Sequence, residues 1–187
     1  KEVFSKVSIA SDVEGILHWD MSTMMPSNSR QNRANQLAFI ANLKHSLLSD
    51  PSVTELISNI DSGQLSKNDL TNFKEMQREY VLLSSLPSDL VEAISKTSAL
   101  CEGKWQEAKK NCDFSIVKNS LNELINLSRQ ESEILSEKLN CSPYEALIQK
   151  YEPYSNVDHI TKVFKDLEIF LLSSIDKIIE KQKKESV

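Results

Sequence analysis

Residues 113–140 read DFSIVKNSLNELINLSRQESEILSEKLN, and the spacing of the apolar residues in this stretch decides the fold class. These residues recur at intervals of three and four, which places them on one face of an α-helix. They are Val117, Leu121, Leu124, Ile125, Leu135 and Leu139. Asp113 precedes the pattern as a candidate N-cap, and Asn140 ends it. The stretch therefore predicts a long helix with one buried face.

The same helical period recurs along almost the whole chain of 187 residues. It predicts helices over about residues 3–20, 29–49 and 156–184, helices that begin near Pro51, Ser66 and Pro87, and a short helical segment over 143–151. The inner face of the first helix is predicted to carry Phe4, Val7, Val13, Ile16 and Leu17. The chain has only 3 Gly and 5 Pro, which excludes Gly-rich phosphate-binding loops and disfavours a turn-dense β-sandwich. We expect an all-α fold of seven or eight helices, mainly antiparallel because the connections are short.

Composition and charge narrow the functional classes. The net charge is -5 and the pI is about 5.3, whereas a nucleic-acid-binding surface usually shows a basic excess. No apolar run reaches the roughly 20 residues that span a membrane, and no signal-peptide pattern is present. Since the chain begins at Lys1, we expect a short N-terminal piece to be missing. The three cysteines lack C-x-x-C spacing, so we expect reduced thiols in a cytoplasmic protein. The acidic charge and the lack of a long apolar run predict neither a nucleic-acid nor a membrane partner. No linker or repeat divides the chain, so residues 1–187 are predicted to form a single helical domain.

The last predicted helix carries an unusually wide apolar stripe. Its members are Val157, Ile160, Val163, Phe164, Leu167, Phe170, Leu171, Ile175, Ile178 and Ile179. Burial of such side chains is worth roughly 1.5–3 kcal/mol each, so the stripe is too apolar to face water. The helix must pack on its own domain, on a second copy, or on polypeptide outside this chain. The first alternative, a plain core helix, is favoured, with the charged residues 177–185 as its solvated end.

A search for catalytic chemistry finds no self-sufficient site. The three histidines are His18, His45 and His159, and none belongs to an H-E-x-x-H or E-x-x-H pattern. Glu14 and His18 share a helix face, which favours a simple structural contact. His45 is expected to be at the surface or partly buried, and His159 exposed. Trp105 and the tyrosines at helical spacing are predicted to be core residues, and no nucleophile motif or neighbouring Cys–His pair occurs.

Residues 17–38, LHWDMSTMMPSNSRQNRANQLA, form a different kind of pattern. A Trp-Asp pair ends one predicted helix, and Pro26 breaks the chain before the next helix begins. We expect Asp20 to accept hydrogen bonds from the following turn or from Arg33, and Trp19 to wedge between the two helices. The pattern predicts a structural helix–helix corner.

This corner resembles the N-terminal signature of the carboxypeptidase Taq family of helical metallocarboxypeptidases, in which L-x-W-D, T-x-M-P and R-x-x-Q recur in this order. Further matches follow at similar intervals: Arg78, Glu79, Tyr80, Leu86, Pro87, Leu90, Val91, Trp105, Glu107, Ala108, Asn111, Asp113, Phe114, Tyr144, Ala146, Leu147, Tyr151, Glu152 and Pro153. There are three departures. Tyr154 stands where the family usually has Gly, Gln149 where it has Asp, and Cys112 where Asn is common. The first is expected to reshape the turn after Pro153.

The resemblance implies an enzyme that releases C-terminal amino acids from peptides. The family uses a divalent metal, Zn²⁺ or another ion such as Co²⁺, held by H-E-x-x-H and a downstream Glu. These elements lie beyond the region that this chain matches. The chain therefore resembles only the N-terminal lobe, which forms one wall of the substrate groove. No catalytic, cofactor-binding or metal-ligating residue is carried over to it.

The implied partners are the C-terminal catalytic half of the same enzyme, a peptide substrate, and a second copy in a homodimer. Alone, the chain is expected to be inactive and to bind no metal. The alternative is a free-standing helical module that uses the last helix to dimerise or to dock a partner. A metal-storage bundle is a weaker third reading, because the chain offers few suitable ligands.

Overall fold

A computed structural model describes residues 1–184, and in these residues it shows eight α-helices and no strand. The helices are α1 Glu2–Thr23, α2 Arg30–Leu48, α3 Pro51–Ser58, α4 Lys67–Ser84, α5 Ser88–Asn111, α6 Ser115–Leu139, α7 Pro143–Ile148 and α8 Val157–Lys184. Short 3₁₀ turns precede α2 and α4. The predicted all-α fold is confirmed, and the helix boundaries agree with the sequence prediction to within a few residues. None of the described helices is long and apolar enough to cross a membrane.

Contacts between residues divide the chain into two compact units. The first unit, Lys1–Pro143, contains α1 to α6, and the second begins at Tyr144 and contains α8 and nearly all of α7. In the second unit none of the 28 residues of α8 is buried, so the predicted core helix was wrong. A single domain over residues 1–187 stays a prediction.

The core of the first unit is built around α2. Helix α2 packs against α1 on one side and most extensively against α5, and α5 packs in turn against α6. One cluster of buried residues joins α1, α2 and α5 through Met21, Ala34, Leu37 and Ala99. A second joins α1, α2 and α3 through Val7, Leu48 and Val53. A third joins α5 and α6 through Cys101, Ala108 and Val117. The helix pair α5 and α6 is therefore held to the rest of the first unit mainly by the packing of α5 against α2.

The buried face of α1 is narrower than the sequence predicted. Val7, Ala10 and Met21 are buried, and their spacing of three and eleven residues keeps them on one side of the helix. Val13 and Ile16, which were predicted to face inward, are exposed. The prediction was wrong for these two because both sides of α1 are apolar, and periodicity alone does not say which side meets α2.

Short-range side-chain hydrogen bonds support three helix starts. Asp50 accepts the amide of Ser52 at 2.8 Å, Asp113 accepts the amide of Ser115 at 2.9 Å, and the hydroxyl of Ser66 accepts the amide of Asp69 at 3.2 Å and donates to the Asp69 carboxylate at 2.7 Å. At α6 the N-cap residue is Phe114, so Asp113 acts from one position before the N-cap rather than as the predicted N-cap. Hydrogen bonds from Ser52 and Ser115, and from Ser66 and Lys1 in the case of Asp69, hold the pKa of the three aspartates below the ordinary value of 3.8. Each aspartate therefore supports its helix start in the ionised form.

The caps predict a loss of stability in acid. Because each folded-state pKa is lower than the unfolded one, the stabilisation is complete above the unfolded value and disappears as the pH falls through the folded value. We expect the free energy of unfolding, measured by denaturant titration, to be level at neutral pH and to decrease below pH 3.8. The triple variant Asp50→Asn, Asp69→Asn, Asp113→Asn is the matched control, since Asn also caps but does not titrate. Equal acid sensitivity of the two proteins would contradict this assignment.

Among residues 1–184, three residues other than Gly adopt the left-handed conformation. They are Cys112 (φ 51°) after α5, Asn140 (φ 52°) after α6, and Tyr154 (φ 64°) between α7 and α8. Two of these, Cys112 and Tyr154, are positions where the resemblance gave Asn and Gly, the residues that adopt this conformation at least cost. Tyr154 adopts a positive φ, which Gly adopts at least cost, and the reshaping of the turn after Pro153 stays a prediction. Gln149, the third departure, supports this turn by accepting the amide of Tyr154 at 2.9 Å and donating to the carbonyl of Ser155 at 2.6 Å.

Substitution of Cys112 tests this strain. We expect Cys112→Gly to raise the free energy of unfolding by about 0.5–1 kcal/mol, because relief of the left-handed strain exceeds the extra freedom of Gly in the unfolded chain. Cys112→Ala keeps the strain and removes only the thiol, so it should change stability by less than about 0.5 kcal/mol. Chemical denaturation of the three proteins measures the difference. A Gly variant no more stable than the Ala variant would refute the explanation.

Candidate functional site

The corner between α1 and α2 is held by the guanidinium of Arg33. Its Nη2 lies 2.5 Å from Oδ2 of Asp20, its Nη1 donates to the carbonyl of Leu17, and its Nε donates to Oε1 of Gln36 at 2.9 Å. The Arg33 side chain is only 12% exposed. A planar fork of five donors is suited to such a set of acceptors, and a lysine could not satisfy them together. The predicted Asp20–Arg33 contact is confirmed.

Trp19 does not wedge between the two helices. Its side chain is 62% exposed, so this part of the prediction was wrong. The space between α1 and α2 is filled instead by Met21, Ala34 and Leu37, which leaves no room for an indole. Trp19 is one of five large apolar side chains that α1, α2 and the turn between them expose to solvent, and we call this set of residues the α1–α2 surface: Ile9, Ile16, Trp19, Met24 and Phe39. Phe39 also lines a shallow recess of about 430 Å³ between α1 and α2.

A larger groove of about 840 Å³ runs along α5 and α6. Its lining is mainly apolar and includes Trp105, Phe114 and Val117. Trp105 is about half exposed and lies beneath the ammonium of Lys109, 5.3 Å from the ring centroid. The prediction of Trp105 as a core residue was therefore wrong. The four-residue spacing of Trp105 and Lys109 on one helix was the signal that could have suggested this cation–π contact.

Two cysteines, Cys101 and Cys112, line this groove. Burial raises the pKa of the Cys101 thiol, and Lys104 opposes this shift only in part. A raised pKa lowers the thiolate fraction, which is the reactive form. All three cysteines are free, as expected. The groove can therefore bind apolar surface, and Cys101 is not activated for nucleophilic chemistry.

The three histidines lie apart from one another and serve different contacts. His45 is buried, and its Nε2 lies 2.7 Å from the carbonyl oxygen of Leu86 and 3.3 Å from Oγ of Ser49. It is more buried than expected, because the segment before α5 crosses α2 at this point. His18 is exposed at the edge of the groove, and His159 is exposed as predicted.

Glu14 pairs with Lys44 of α2 rather than with His18. The carboxylate and ammonium lie 2.5 Å apart, with side-chain exposures of 24% and 13%. The two residues are thirty positions apart in sequence, so no local pattern signals the pair. Three of the four tyrosines that were predicted for the core are exposed: Tyr144, Tyr151 and Tyr154.

No metal site forms within residues 1–184. In this part of the chain no three His, Cys, Asp or Glu side chains come together in a way that could hold a metal ion. A catalytic zinc site needs three protein ligands, so these residues do not fit the divalent metal that the resemblance implies.

Arg33→Ala tests the corner. We expect a loss of about 2 kcal/mol in the free energy of unfolding, because removal of a charged donor leaves the part-buried Leu17 carbonyl and Asp20 carboxylate without this partner. Arg33→Lys should recover less than half of this loss, since one ammonium cannot replace the fork. Lys6→Ala, which breaks the exposed Lys6–Glu2 pair, is the control and should change stability by less than about 0.5 kcal/mol. Equal losses for Arg33→Ala and Lys6→Ala would argue against the assigned role of Arg33.

Comparison with known proteins places this geometry in a family. The sequence profile of the carboxypeptidase Taq (M32) metallopeptidases matches residues 1–187. Thermostable carboxypeptidase 1 of Pyrococcus furiosus is 25% identical over 181 residues, which cover 96% of this chain and 36% of that protein. The protein of the same name from Thermus thermophilus is 25% identical over 173 residues, covering 86% of this chain and 34% of that protein.

A solved structure agrees with these sequence matches. Metallocarboxypeptidase 1 of Trypanosoma cruzi superposes with a TM-score of 0.80 at 28% identity, over 100% of this chain and 38% of that chain. The chain thus spans little more than a third of the length of the relatives it matches. With the corner residues in place and the profile covering every residue, the chain belongs to the carboxypeptidase Taq (M32) metallopeptidase family.

Proposed function

We propose that this chain is the N-terminal part of a metal-dependent carboxypeptidase that releases C-terminal amino acids from peptides. The observation that carries the proposal is the family match over residues 1–187, combined with coverage of only 36% of a relative named as a carboxypeptidase. On this proposal the chain supplies scaffold and one wall of the substrate groove. The metal, Zn²⁺ or another divalent ion such as Co²⁺, is held by the rest of the enzyme.

Two exposed apolar surfaces of the first unit support the proposed scaffold role of this chain. The α1–α2 surface and the α5–α6 groove both expose large side chains, among them Trp19, Phe39, Trp105 and Phe114. The lining of the groove is contiguous, and contiguous apolar patches on a monomer usually mark an interface or a ligand groove. We assign these surfaces to contacts with the catalytic half of the enzyme and with the peptide substrate. A rigid corner at Arg33 would fix the angle between α1 and α2 and so the shape of the first surface.

The proposal includes a homodimer and a cytoplasmic location. Three free thiols support a reducing compartment. The acidic net charge of -5 gives no support to a nucleic-acid partner. A free-standing interaction module is not favoured, because a profile match over the whole chain is what a segment of a larger enzyme would show.

An activity assay tests the proposal. We expect the purified 187-residue chain to release no C-terminal amino acid from unblocked peptides, with or without added Zn²⁺ or Co²⁺, because its described residues gather no metal ligands. The Pyrococcus furiosus enzyme under the same conditions is the positive control. Release that a chelator abolishes would overturn the scaffolding role.

The coding sequence after residue 187 supplies the complementary test. We expect it to encode an H-E-x-x-H motif followed by a further Glu, in the same or an adjacent reading frame, because this pattern places two His ligands on one helix face. Joining that segment to the chain should restore metal-dependent release. A stop codon with no such motif nearby would favour the free-standing module instead.

A further inference from the structure

We draw no further inference here: the strongest candidate, the mainly apolar groove along α5 and α6 beside Trp105 and Lys109, carries nothing beyond the contacts already proposed for it, because nothing in the structure shows what covers it.

Discussion

Close packing of α2 against α5 is the constraint on which the first unit depends. Small side chains line the contact, and at Gly103 even a methyl group would lie 2.6 Å from Cδ of Arg30. The Arg30 side chain lies over this glycine, and its guanidinium reaches the Glu107 carboxylate at 3.6 Å. Because α5 packs on α2 and α6 packs on α5, the α2–α5 contact also sets the position of α6 and of the groove along α5 and α6. Arg33, one turn further along α2, fixes α1 on the other side.

The helices and their ends could be predicted from the sequence because their causes are local. The cap at Asp113 and the ion pair of Asp20 with Arg33 depend on spacing within a turn or across one short connection. The environments of Trp19 and Trp105 could not be predicted, because periodicity identifies an apolar side of a helix without naming its partner. The half-buried pair of Glu14 with Lys44 could not be predicted either, because thirty positions in sequence separate the two residues.

Large apolar side chains are exposed on both units. The chain spans 36% of the length of one relative, and burial of each large apolar side chain is worth roughly 1.5–3 kcal/mol, so on the proposed function these side chains would contact the rest of the enzyme. The first unit nevertheless contains three buried clusters of its own. Two of them lie between α2 and its neighbours, and the third, between α5 and α6, shares Cys101, Ala108 and Val117 with the lining of the groove.

The corner residues that carry the family resemblance have structural partners. Asp20, Arg33 and Gln36 bond to one another and to the backbone. These bonds fix the angle between α1 and α2, and a change in that angle would move every side chain on the outer sides of the two helices. Cys112 and Tyr154, two positions that depart from the resemblance, adopt the left-handed backbone conformation, in which a residue with a Cβ is strained.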